Sequence, residues 1–145
     1  MGYTACTTTM SLRARFYFAL LVSFLAIGAH LVANHFYLYW TLAYKKITFV
    51  DIPIHMLGGV MAGLFVLVAL RAFKLPEVIR NTLVGVFLIG ATWEIIEVMY
   101  RVDVLDIWYA IDTVKDLTDD IIGGTIALYI WRKLPEPKSQ DTQTS

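Results

Sequence analysis

Two charge-free runs dominate the first half of the chain. The first, Phe16 to Tyr44, is 29 residues long, and the second, Ile52 to Leu70, is 19. About 20 apolar residues at a rise of about 1.5 Å cross a hydrocarbon core of about 30 Å, so each run reads as a membrane-spanning helix. The pattern predicts spans at about 16–36 and 52–71. Phe36, Tyr37, Tyr39, Trp40 and Tyr44 follow the first span, where amphipathic rings favour the membrane interface. Arg71 and Lys74 close the second, and Pro76 marks the turn after it.

A third span, about 81–100, contains Glu94 and Glu97. The fourth is the weakest. Ile121 to Trp131 is only 11 residues, and extending it to about 112–132 admits four aspartates and Lys115. An amphipathic helix lying on the membrane surface is the alternative for this stretch. Arg13 and Arg15 ahead of the first run also suit a signal peptide. That run is longer and more aromatic than an h-region of about 7–15 residues, so an uncleaved span is expected.

The expected fold is therefore all-α: a polytopic membrane protein with a bundle of four transmembrane helices over 13–134. A cytoplasmic tail, 1–12, precedes it. A Pro-, Ser-, Thr- and Gln-rich tail, 135–145, follows and is expected to be disordered.

Composition agrees with this class. Hydrophobic residues make up 58% and charged residues 17%, against roughly 45–50% and about 25% in soluble domains. The mean hydropathy is +0.63. A formal net charge of zero gives no basic field, so no nucleic-acid partner is expected. Cys6 is the single cysteine, which excludes an intrachain disulfide and any paired thiolate metal site; it reads as a plain tail thiol. With four spans, Arg13, Arg15, Arg71, Lys74, Arg80, Arg132, Lys133 and Lys138 share one side, and Lys45, Lys46, Arg101 and Lys115 the other. That bias places both termini in the cytoplasm of a multi-pass cell-membrane protein.

Nine of the 12 acidic residues lie within or beside the apolar stretches: Asp51, Glu94, Glu97, Asp103, Asp106, Asp112, Asp116, Asp119 and Asp120. A carboxylate near the hydrocarbon core costs several kcal/mol unless it is paired, solvated or bound to a cation. The topology brings Asp51 and His55, Glu94 and Glu97, and Asp112 to Asp120 to one depth near the outer leaflet. His30, Asn34 and His35 in the first span lie at a similar depth. At about 100° per residue, Asp112, Asp116 and Asp119 fall within an arc of about 60°, and Asp120 widens it by about 40°. Asp51, His55 and Gly58 share one helix face, as do Gly90, Glu94, Glu97 and Arg101.

Plainer roles absorb some of these residues. Asp51 and Asp112 suit N-caps, Arg101 can pair with Glu94 or Glu97, and Lys115 can neutralise Asp112 or Asp119 across one turn. Glu94, Glu97, Asp116, Asp119 and Asp120 keep no partner nearby in sequence. The tentative metal ligands are Asp51, His55, Glu94, Glu97, Asp112, Asp116, Asp119 and Asp120. Candidates for catalytic chemistry are His55, Glu94, Glu97 and Asp116. Oxygen donors with one imidazole suit a divalent cation such as Mg²⁺, Mn²⁺ or Ca²⁺. Without a metal, crowded carboxylates share protons, and His55 can relay them. Ser11 and Ser23 lie far from the acids, and no nucleophile motif is present.

The succession DIPIHMLGG, WEIIEV and DTVKDLTDDIIGG resembles the VanZ-like and YjdF-like small integral membrane proteins. The matching positions are Asp51, His55, Gly59, Trp93, Glu94, Glu97, Asp112, Asp116, Asp120 and Gly123, over roughly Asp51 to Leu128. Asp119-Asp120 departs from the pattern, where an asparagine is expected, and the added charge strengthens the case for a cation. The resemblance implies a role at the bacterial envelope, with VanZ-like members linked to teicoplanin resistance, and implies no reaction. Three functional readings stay open. One is an envelope protein that binds or scaffolds. Another is a metal-assisted membrane enzyme acting on a phospholipid or isoprenoid-linked substrate. The third is a small cation or proton conductor, which would need a homo-oligomer. Expected partners are the lipid bilayer and a lipid or envelope-precursor ligand.

Overall fold

The computed structural model describes the backbone of residues 10–41, 51–100 and 107–135, and the side chains of 10–32, 52–99 and 109–135. It contains four α-helices: α1 (Leu12–Thr41), α2 (Asp51–Ala72), α3 (Ile79–Tyr100) and α4 (Ile107–Lys133). No strand occurs among the described residues, as expected for an all-α chain. Three helical stretches are long and apolar enough to cross a membrane: Leu12–Val32, Ile52–Ala72 and Ile79–Met99. The fourth helix has the length, but its aspartates keep it out of that group. Exposed apolar side chains such as Phe24, Leu31, Leu88, Ile95 and Met99 cover the outside of the first and third helices.

Two boundaries differ from the sequence expectation. α1 continues past 36 to Thr41, because the run stays charge-free there. α4 begins at Ile107, ahead of 112, so Asp112 lies inside the helix and is not its N-cap. The two chain termini beyond residues 10 and 135, and the expectations attached to them, lie outside the described residues.

α2 is the hub, packing against each of the other three helices. Its direction parallels α4: Gly59 meets Asp120, Gly63 meets Gly124 and Ala127, and Arg71 lies near Trp131. α3 runs antiparallel to both, with Gly85 against Val66 and Gly90 against Asp120. A Cβ added at Gly59 or Gly123 would overlap the backbone of the facing helix, and one at Gly63 would come within 2.7 Å of Ala127 Cβ. Lipid supplies little hydrophobic drive between helices, so close backbone approach at small residues is what favours their association. That contact holds α4 alongside α2 and turns its acids inward, unlike a helix lying alone on a surface.

From mid-bundle to the end away from the acids, Ala19, Val60, Leu64, Leu67, Ala127, Leu128 and Trp131 form the apolar core. Arg15 of α1 is fully buried against it. Its guanidinium donates to the carbonyls of Trp131 (3.4 Å), Leu134 (3.3 Å) and Pro135 (3.0 Å), and lies 4.5 Å from the Trp131 ring. The last carbonyls of a helix have no intrahelical donor, so α1 caps α4 with a side chain. Glu77 completes this end, accepting from Arg71 Nε at 2.6 Å and from Trp131 Nε1.

Candidate functional site

Each of α2, α3 and α4 delivers one side chain to a common point. His55, Glu94 and Asp116 each offer a ligand atom, and these atoms all lie within 4.8 Å of one another. His55 Nε2 is 3.5 Å from Asp116 Oδ2, and its Nδ1 is 4.0 Å from Asp120 Oδ1. Asp116 and Asp120 stand four apart on α4, one turn, so both nitrogens of a single ring can face carboxylates from the same helix face.

Glu94 is 7% exposed, deep for a carboxylate. Thr113 Oγ1 donates to its Oε2 at 3.0 Å, and the Tyr109 hydroxyl donates to its backbone carbonyl at 3.4 Å. Tyr109 and Thr113 are themselves one turn apart, so the start of α4 fixes α3 at two points. Glycine makes room for Asp120. A Cβ on Gly90 would sit 2.6 Å from Asp120 Oδ2, and one on Gly58 would sit 3.6 Å from its Oδ1.

Lys115 is the one ammonium at this end among the described residues. It bonds Asp116 and lies 3.8 Å from Asp119 Oδ2 and 3.9 Å from Asp112 Oδ1. Asp119 Oδ2 is buried and accepts no hydrogen bond. Among the described residues, four carboxylates (Glu94, Asp116, Asp119 and Asp120) thus face one ammonium and one imidazole. Uncompensated charge away from water costs several kcal/mol per ion, so the group calls for a cation or for protons.

The expected convergence holds for α2, α3 and α4, whereas His30, the described one of the three polar residues expected from the first helix, does not join it. His30 is exposed on α1, whose packed stripe of Arg15, Ala19, Ser23 and Ala26 meets α2 nearer the other end. Glu97 is half-buried one turn beyond Glu94, outside the group of three. Asp112 and Asp119 lie outside that group and within 3.9 and 3.8 Å of Lys115. The side chains of Asp51, Asn34, His35, Arg101, Asp103 and Asp106 lie outside the described residues. Sequence reasoning missed Thr113 and Tyr109, though their one-turn spacing ahead of Asp116 was a usable signal. The expected approach of Lys115 to Asp112 and Asp119 is present, at 3.9 and 3.8 Å, and sequence reasoning missed only its closer bond to Asp116.

Hard-cation geometry fits the spacing. Ca²⁺ takes oxygen ligands at about 2.3–2.6 Å, so ligands on opposite sides of it are about 5 Å apart. Mg²⁺, at about 2.0–2.1 Å, would need the three side chains to draw in by about half an ångström. No family model, no curated protein and no solved structure matches the chain.

Proposed function

We propose that this is a small multi-pass membrane protein of the cell envelope that binds a hard divalent cation at its acidic end. Through the cation it would hold an anionic ligand, such as a lipid or envelope-precursor head group. The observation that carries the reading is the meeting of His55, Glu94 and Asp116 from three helices within 4.8 Å. The buried, unbonded Asp119 oxygen beside them adds to the demand for positive charge.

In this reading α4 is a fourth span, its acids tolerated because they face α2 and α3. The basic residues gather at the far end of the bundle, which supports cytoplasmic termini and an exoplasmic site. The VanZ-like motif order supports the envelope assignment. A second reading rests on the line Lys115, Asp116, His55, Asp120, in which one imidazole links two carboxylates as a proton relay does.

Thermal unfolding of the purified full chain with and without Ca²⁺, Mn²⁺ or Mg²⁺ separates the two. Saturation at about 100 times Kd would stabilise a single site by about 2.7 kcal/mol. Glu94→Gln should abolish that gain while keeping an acceptor for Thr113. No gain with any of the three ions, together with proton flux in vesicles that depends on His55 and Asp120, would favour the relay.

A further inference from the structure

At the basic end, an open-sided groove of about 400 Å³ runs between α2 and α3. Val66, Ala69 and Leu70 form one wall, Val84 and Leu88 the other, and Arg80 stands at its polar end. From Arg80 to Leu88 the groove follows about 12 Å of helix, close to the hydrocarbon depth of one leaflet at about 15 Å. Its floor is set by Gly85, where a Cβ would come within 2.7 Å of Val66.

Charge at this end is uneven. Arg80 is exposed and makes no ion pair among the described residues, and Lys74 in the α2–α3 turn is exposed as well. The acid of this hairpin, Glu77, is consumed by Arg71 and Trp131, and so cannot neutralise either of them. The groove lining contains no carboxylate. An apolar channel of leaflet depth, ending in an uncompensated cation at head-group level, matches one kind of occupant.

We propose that this groove is a binding site for one anionic phospholipid, its acyl chain lying between α2 and α3 and its phosphate at Arg80 with Lys74 nearby. The site is separate from the acidic centre and needs only that α2 and α3 cross the membrane.

Native mass spectrometry of the full chain, delipidated in neutral detergent and offered equal phosphatidylglycerol and phosphatidylcholine, tests it. One phosphatidylglycerol should be retained in preference. Arg80→Ala should cut that preference by about fivefold, the effect expected of one basic group at a membrane surface. Ala69→Trp, at an exposed position on the groove wall, should reduce retention of both lipids. Arg13→Ala, exposed on α1, should change neither. Equal retention of the two lipids would overturn the proposal. So would an unchanged preference in folded Arg80→Ala and Ala69→Trp proteins, or a second copy of the chain displaced by Ala69→Trp in place of lipid.

Discussion

His55 on α2 faces Asp116 on α4 across 3.5 Å, with Asp120 of the next turn 4.0 Å from its other ring nitrogen. An imidazole held this way cannot rotate freely, and its two nitrogens are directed at separate carboxylates. Glu94 enters from α3 with Thr113 fixing one of its oxygens. The geometry is that of a site assembled by helix packing, and its fate is tied to the glycine contacts that hold α2 against α4.

Lys115 competes for the same carboxylate. It bonds Asp116 Oδ1, while Oδ2 faces His55. Lys115→Met should raise divalent-cation affinity by about tenfold, because even in a water-like medium an ammonium about 5 Å from a divalent ion repels it by more than 1 kcal/mol. The same variant should be less stable than the parent when no cation is present. Calorimetric titration and chelator-treated melting curves read the two effects.

Gly59 sets the distance between α2 and α4. Gly59→Ala should destabilise the protein by about 1–3 kcal/mol, the usual cost of forcing extra atoms into a packed contact. It should also weaken cation binding by moving His55 away from Asp116. Gly28→Ala is the control, since a Cβ there meets nothing within 4 Å. Melting temperatures in detergent compare the pair.

Arg15 anchors α1 to the end of α4. Arg15→Ala should cost on the order of 3 kcal/mol, since it strands the buried Trp131 carbonyl, gives up the bonds to Leu134 and Pro135 and removes the stack on Trp131. Arg15→Lys should recover little, because a single ammonium cannot reproduce the planar fork that reaches three carbonyls. Chemical denaturation would show both losses, with cation affinity largely unchanged because the clamp lies at the other end.

The number of spans has its own test. Cys6 is the only cysteine, so an impermeant maleimide reports the side of the N-terminus directly. In a Cys6→Ser background, Ser139→Cys reports the other end. Four spans require both sites to label on the same side, and cytoplasmic termini require that they label only after the cell is opened. Labelling of one site on intact cells would mean that α4 does not cross.

Much of this arrangement could be read from one strand of sequence because its signals are local. Charge-free length marked the first two helices, and the 100° repeat put His55 with Gly58, Gly90 with Glu94, and Asp116 with Asp112 and Asp119. What the repeat cannot give is how far each helix is turned toward its neighbours. Asp112, Asp116 and Asp119 share an arc, yet only Asp116 meets His55, since close packing at Gly59 and Gly123 fixes the rotation of α4. Gly90 was placed on the face of Glu94 and Glu97, and what fills the space beside it is the Asp120 carboxylate. Arg15 read as one of the basic residues that set the orientation of the chain. Its burial under Trp131 is a contact between distant parts of the chain, announced by no local pattern. Glu77 was a missed hint, a lone acid among Arg71, Lys74 and Arg80.

The most direct test is Mn²⁺ binding followed by electron paramagnetic resonance on the purified full chain. One Mn²⁺ should be taken up per protein, with nitrogen coupling from an imidazole that disappears in a folded His55→Ala protein and with uptake lost in Glu94→Gln. Mn²⁺ that stays free in solution at millimolar concentration, or a bound signal unchanged by both substitutions, would contradict a cation centre built from α2, α3 and α4.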